Sequence, residues 1–138
     1  MKISSKTHKQ LVYLLKKYPT VEAAYLFGSL AANTARNESD IDIALLFSDA
    51  PSKEQRFEIR LEIIGTLTRL FGRTADVVVL NDLSSLFFKY VIIKEGQRLY
   101  QRSENVTVSF ESALMSQYFD FRPFLDIYNR HYVERNLQ

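Results

Sequence analysis

Three short runs rich in aliphatic and β-branched residues constrain the fold of this chain more than any other feature. They are Val21–Phe27, Ile41–Phe47 and Asp76–Leu80. Runs of this length and composition are typical of strands, and the second is apolar enough for a central strand. The sequence therefore predicts a sheet of three strands, to which Arg98–Gln101 adds a short edge strand.

Between and around these runs, apolar residues recur at helical spacing. The predicted helices are Ser5–Tyr18, Lys53–Phe71, Leu83–Lys94 and Val106–Leu137. We expect the second helix to bury one stripe, the third to be buried on most sides, and Asp82 to cap the third. The stripe of the second helix consists of Phe57, Leu61, Ile64, Thr68 and Phe71.

The last predicted helix carries an aromatic stripe and an internal proline. Pro123 predicts a kink or the start of a second helix near Asp120. We expect most of the stripe to belong to the core and only the segment Tyr128–Gln138 to be exposed. The stripe consists of Phe110, Leu114, Tyr118, Phe121, Leu125, Tyr128 and Tyr132.

The order of these elements predicts an α/β (α+β) domain with a mixed sheet flanked by helices. A length of 138 residues suits one domain. We divide it into a core over residues 1–104 and a C-terminal helical segment over residues 105–138.

The amino-acid composition of the chain excludes several classes of function. The net charge of +2 gives no basic surplus, so we expect no direct binding of nucleic acid. With no cysteine and two histidines, a disulfide scaffold, a zinc knuckle and a thiol nucleophile are excluded. No segment suits a membrane span or a signal peptide, which predicts a cytoplasmic protein.

Two aspartates at the start of the second predicted strand suggest a metal site. Asp40 and Asp42 are two residues apart, so on a strand both side chains point to one face, with α-carbons ~6.6 Å apart. Neighbouring carboxylates repel each other unless a cation lies between them, and oxygen ligands suit Mg²⁺. If the strand that begins at Asp76 is adjacent, the three acids could hold two Mg²⁺ ions.

Gly28 and Ser29 directly follow the first predicted strand. A glycine here allows a tight turn, and the amides and hydroxyl after it suit phosphate oxygens. Together with the acids, this arrangement predicts nucleotidyl transfer. The alternative is a simple turn followed by loop acids or a helix cap.

The pattern Gly28-Ser29-x-Ala followed by Ser39-Asp-Ile-Asp42 and Asp76-Val-Val-Val-Leu resembles the minimal nucleotidyltransferases of the DNA polymerase β superfamily. More narrowly, it is similar to the MntA-type antitoxins of HEPN–MNT toxin–antitoxin pairs. The segments Phe88–Gly96 and Phe121–Tyr128 extend this resemblance over most of the chain.

The resemblance implies transfer of AMP from ATP to a tyrosine of a HEPN ribonuclease toxin, which silences the toxin. It implies that Asp40, Asp42 and Asp76 are the catalytic, metal-binding acids, and that Gly28, Ser29 and Ser39 bind the nucleotide. Two alternatives stay open at this point. One is nucleotidyl transfer to a small molecule, and the other is an antitoxin that acts by binding alone.

Overall fold

The computed structural model describes residues 4–28 and 41–137. Its four strands form one sheet in the order β3-β2-β1-β4. The strands are β1 (Val21–Phe27), β2 (Ile41–Phe47), β3 (Ala75–Val79) and β4 (Gln97–Gln101). The predicted strands are therefore present, with β3 beginning and ending one residue earlier than expected.

Both parallel and antiparallel pairs occur in this sheet. β1 lies between β2 and β4 and is antiparallel to each, whereas β2 and β3 are parallel. The parallel pair requires a crossover, which the helix between β2 and β3 supplies. The mixed sheet with flanking helices confirms the predicted fold class.

The helices are α1 (Ser5–Lys16), α2 (Lys53–Phe71), α3 (Leu86–Glu95) and α4 (Glu104–Leu137), and a 3-10 turn spans Leu80–Asp82. Serine hydroxyls satisfy the free amides at three of their starts: Ser4, Ser52 and Ser85 accept from the residue three positions later. Gly72 ends α2 with a φ of 60°, as its position after the apolar pattern suggested.

Each face of the sheet carries its own apolar core. On one face, α1 and α2 contribute residues such as Leu11, Leu15 and Ile63. On the other face, Ile92 of α3 and Phe110 of α4 pack against side chains of β1 and β2. The molecule is therefore three layers, with α3 and α4 on the face opposite α1 and α2.

The predicted face of α2 is right only at Ile64 and Phe71, which pack against the core, and the predicted burial of α3 on most sides is wrong. In α2 the fully buried residues are Ile63 and Leu67, whereas Phe57 and Leu61 are about half exposed. In α3 only Tyr90 and Ile92 are buried, and Phe87 is 55% exposed. Several other apolar residues of these helices are partly buried against the two cores, among them Ile64 and Phe71 of α2 and Ile93 of α3.

The predicted cap of α3 is wrong, and of the two alternatives predicted at Pro123 the start of a second helix is wrong, whereas a kink stays a prediction. Ser85, and not Asp82, caps α3, because the 3-10 turn places Asp82 beside Arg56 of α2. Helix α4 continues through Pro123, so no second helix begins near Asp120. Proline has no backbone N–H, so one hydrogen bond of the helix is lost at Pro123, and the helix nevertheless continues past it.

The aromatic stripe of α4 is only partly core. Leu114 is buried and Phe110 packs on the sheet, as expected, but Phe121 is 45% exposed. Within residues 4–28 and 41–137, no helix is long and apolar enough to cross a membrane. The cytoplasmic location and the division at residues 104 and 105 stay predictions.

Candidate functional site

The two described aspartates of the predicted site lie side by side. Asp42 of β2 and Asp76 of β3 are register partners in the parallel pair. Neighbouring strands are ~4.8 Å apart, and side chains at matching positions point to the same face. Asp42 is half-buried and Asp76 is exposed, so one carboxylate is held in the sheet and the other faces solvent.

The face of the sheet that carries these acids is the one covered by α3 and α4. On β2, Asp42 shares a face with Ala44 and Leu46, which pack in that core, and on β3 Asp76 shares it with Val78. Each acid lies near the beginning of its strand, with Asp42 next to the end of β1 and Asp76 one strand further away. The carboxylates therefore lie at an edge of the sheet, beside an apolar layer.

Gly28 brings the end of β1 against Asp42. Its φ is 74°, a left-handed conformation that L side chains rarely adopt. A Cβ added at Gly28 would lie 2.3 Å from Oδ2 of Asp42, which is well inside van der Waals contact. Asp42 is also the register partner of Phe27. Glycine is therefore required at position 28 by its backbone conformation and by its proximity to the carboxylate.

Sequence reasoning missed an aromatic contact at this edge. The ring of Phe27 meets the ring of Phe88 edge-on, with centroids 5.9 Å apart and an interplanar angle of 83°. This contact fixes α3 beside the turn at Gly28. The helical spacing of α3 gave no signal that Phe88 would meet β1.

Three predicted site residues, Ser29, Ser39 and Asp40, lie outside the described residues. Their roles stay predictions. Over residues 4–28 and 41–137, no group of three or more histidine, aspartate or glutamate side chains could hold a metal ion. Asp42 and Asp76 supply two carboxylates that fit Mg²⁺, an ion often held by one or two carboxylates together with substrate phosphates.

A second pair of charged residues lies away from the acids. Arg56 contacts Asp82 through two hydrogen bonds, of 2.6 and 3.0 Å. The hydrogen bond from the guanidinium is the main cause that lowers the pKa of the Asp82 carboxyl. The pair joins α2 to the turn after β3, and we assign it a structural role.

The polymerase beta nucleotidyltransferase family matches residues 9–105 of the chain. This stretch contains Gly28, Asp42 and Asp76, whose arrangement is described above. The chain belongs to the polymerase beta nucleotidyltransferase family.

A curated relative within this family is the protein adenylyltransferase MntA of Shewanella oneidensis. The two are 29% identical over 93 residues, which cover 67% of this chain and 63% of the relative. The match therefore spans less than two thirds of that protein's length.

Solved structures of toxin–antitoxin proteins share the fold. A chain from a toxin–antitoxin structure with AMP-PNP gives a TM-score of 0.72 at 23% identity and covers 95% of this chain and 98% of its own length. A chain from a structure of tri-AMPylated Shewanella oneidensis HEPN toxin with MNT antitoxin gives 0.66 at 21% identity. It covers 95% of this chain and 96% of its own.

Proposed function

We propose that this chain is an antitoxin that transfers AMP from ATP to a tyrosine of a HEPN ribonuclease toxin and thereby neutralises the toxin. The observation that supports this most is the pairing of Asp42 with Asp76 on adjacent parallel strands, with the backbone of Gly28 against the first carboxylate. Two acids beside a glycine turn suit metal-assisted phosphoryl chemistry, because charge neutralisation and positioning dominate such reactions.

The choice of acceptor rests on the relatives. The curated relative is named a protein adenylyltransferase, and one similar solved structure contains an AMPylated HEPN toxin. Another contains AMP-PNP, an analogue of ATP. These properties belong to those proteins, and we extend them to this chain as a proposal.

In the proposed reaction, the tyrosine hydroxyl oxygen of the toxin attacks the α-phosphorus of ATP. A new oxygen–phosphorus bond forms as the bond to pyrophosphate breaks, so the products are AMP-tyrosine and pyrophosphate. We assign the hydroxyl proton to the carboxylate of Asp76, because it is the more exposed of the two acids. Asp42 lies in the sheet against Gly28, and in this proposal its carboxylate supplies negative charge to the site.

Asp42, Asp76 and, by prediction, Asp40 would hold Mg²⁺. When bound, Mg²⁺ supplies positive charge that neutralises the triphosphate. Gly28 and the predicted Ser29 and Ser39 bind phosphate oxygens in this proposal.

Labelled ATP tests the proposal directly. The chain is incubated with ATP labelled at the α-phosphorus, Mg²⁺ and the HEPN toxin of its proposed pair, and the modified residue is mapped. We expect label on a tyrosine of the HEPN protein, and a loss of more than ~100-fold in Asp42→Asn and in Asp76→Asn. Asp49→Asn, an exposed aspartate beyond the far end of β2, is the matched control and should keep the wild-type rate.

Three results would contradict the proposal. If Asp42→Asn and Asp76→Asn both transferred label at the wild-type rate, neither acid would take part in the reaction. Label on a small molecule alone would favour the small-molecule alternative. Neutralisation of the toxin without any label would favour an antitoxin that acts by binding.

A further inference from the structure

The second half of α4 exposes large apolar side chains that nothing in the described chain covers. Phe121, Phe124 and Ile127 are 45%, 65% and 51% exposed, and their spacing of three residues places them on one side of the helix. Soluble domains rarely leave such groups of apolar residues in water unless they bind something. We call these three residues the distal surface of α4.

The distal surface continues an apolar stripe that begins inside the molecule. In the first half of α4, Phe110 and Leu114 pack against the rest of the domain. Phe121 is seven residues after Leu114 and therefore lies on nearly the same side of the helix. Tyr118 stacks on Tyr90 of α3 with ring centroids 3.7 Å apart, and Phe119 meets the same ring edge-on at 6.2 Å.

The apolar stripe continues beyond the sheet because α4 is longer than the strands. The 34 residues of α4 extend ~51 Å at 1.5 Å per residue. The strands of five to seven residues extend only ~17–23 Å. The second half of α4 thus extends beyond the sheet with an apolar side that suits another molecule.

We propose that the distal surface of α4 is where the acceptor protein docks. This inference rests on the proposed function and adds the location of the contact. α4 lies on the same face of the sheet as Asp42 and Asp76. A protein bound along α4 would therefore be on the side of the molecule from which an acceptor hydroxyl must reach the acids.

The charges around the surface favour a protein over a membrane. Asp120, Arg122, Asp126 and Arg130 are all exposed and sum to zero. Helices that lie on anionic membranes carry an excess of lysine and arginine on the polar side. A balanced polar border around apolar side chains is instead typical of protein interfaces.

The extent of the family match also favours the acceptor. The nucleotidyltransferase family matches only residues 9–105, so nearly all of α4 lies beyond it. The solved toxin–antitoxin chains cover 95% of this chain or more, which includes most of α4. The helix is thus shared with proteins that are found with a HEPN toxin, and it is an addition to the general catalytic fold.

The exposed area is of the right order for such a contact. Aromatic side chains bury ~150–250 Å² each, so three half-exposed large side chains offer about 300 Å². A standard interface takes about 800 Å² from each partner. The distal surface could therefore form the apolar centre of an interface with a polar border.

The test is the double variant Phe121→Ser and Phe124→Ser, titrated against the HEPN toxin of the proposed pair. We expect its Kd to rise at least ~30-fold, which is typical for loss of central aromatic contacts. KM for the HEPN protein in AMP transfer should rise by the same factor, while kcat at saturating acceptor stays unchanged. Tyr13→Ser is the matched control, an aromatic residue 69% exposed on the opposite face, and should change neither value.

Folding of the variants is checked by thermal unfolding, and Phe124→Ser alone is the second variant because Phe124 is the most exposed of the three. Wild-type Kd and KM in both variants would overturn the docking surface and leave the proposed function intact. Loss of binding in the variants, with no AMP transfer by the wild-type chain, would support the surface and contradict the proposed function.

Two other occupants would also overturn the inference. A wild-type chain that is dimeric by light scattering and monomeric after the double substitution would assign the surface to a second copy. Cosedimentation with vesicles of anionic phospholipid, lost in the variant, would assign it to a membrane. Asp42→Asn should bind the HEPN protein with wild-type affinity and transfer no AMP, which separates docking from chemistry.

Discussion

At the scale of single residues, the contact between Gly28 and Asp42 decides the geometry of the site. No side chain fits at position 28, because a Cβ there would lie 2.3 Å from Oδ2 of Asp42 and the φ of 74° would be strained. Since the close atom belongs to the candidate catalytic carboxylate, relief of the clash must move that carboxylate.

Gly28→Ala is therefore expected to reduce AMP transfer by more than ~10-fold and to destabilise the fold by about 1–2 kcal/mol. Rates of transfer and urea unfolding measure the two effects. Gly65→Ala is the control: a Cβ at Gly65 has nothing within 4 Å, and alanine favours the helix by about 1 kcal/mol. A Gly28→Ala variant with wild-type activity would show that the carboxylate does not need its present position.

The ion pair between Arg56 and Asp82 predicts a dependence of stability on pH. The guanidinium holds the pKa of the Asp82 carboxyl below its value in the unfolded chain, which is about 3.9. The pair therefore stabilises the fold above that value, and this contribution disappears as pH falls through the lower pKa of the folded state.

Asp82→Asn should accordingly reduce the free energy of unfolding at pH 7, and the difference from wild type should shrink as pH falls below the unfolded value of about 3.9. Urea unfolding of both proteins across this range measures it. A difference that stays constant with pH would mean that the ionised pair does not stabilise the fold.

At the scale of elements, the sequence predicted strands better than helix faces. Val21–Phe27 and Ile41–Phe47 were predicted with the bounds that the structure has, because short apolar runs between polar segments have few alternatives. Helix faces were harder, because α2 and α3 have apolar residues on several sides. Which side is buried depends on how each helix crosses the sheet, and that is set by contacts distant in sequence.

The site was predictable to a similar degree. Asp42 was named from its spacing, and its pairing with Asp76 was expected only on the condition that the two strands are neighbours. That condition depends on strand order, which a single sequence does not specify. The contact of Phe27 with Phe88 depends in turn on where α3 packs.

A buried hydrogen bond attaches α4 to the sheet. The hydroxyl of Tyr25 in β1 donates to Oε1 of Glu111 at 2.7 Å, and Arg98 of β4 contacts the same oxygen at 3.3 Å. Burial is the largest cause that raises the pKa of Tyr25, and Glu111 adds to it. The phenol therefore stays protonated and donates throughout the ordinary pH range.

Tyr25→Phe should cost about 1–3 kcal/mol, because Glu111 loses a donor in a partly buried position. Urea unfolding measures this cost. Tyr13→Phe, at an exposed tyrosine of α1, is the matched control and should cost almost nothing. Equal stability of the two variants would show that the bond from Tyr25 does not attach α4.

At the scale of the whole molecule, the fold brings distant segments to one edge of the sheet. Phe27, Asp42 and Asp76 occupy matching positions on three adjacent strands, although 49 residues separate the first from the last. This arrangement exists only in the folded chain, since each segment alone carries at most part of the site. A ligand bound there must therefore stabilise the whole fold.

Mg²⁺ and ATP should accordingly raise the melting temperature of the chain. A ligand at about 100 times its Kd stabilises the folded state by about 2.7 kcal/mol, which for a domain of this size is a rise of roughly 10 °C. EDTA should remove most of that rise, because the acids would then face the triphosphate without a cation between them.

Asp42→Asn and Asp76→Asn should melt near the wild-type temperature without ligand, and the ligand should raise their melting temperature only slightly. In Asp49→Asn the ligand should raise it as much as in wild type. A rise of equal size in Asp42→Asn, Asp76→Asn and wild type would mean that nucleotide binds elsewhere, since neither acid would then contribute to holding it.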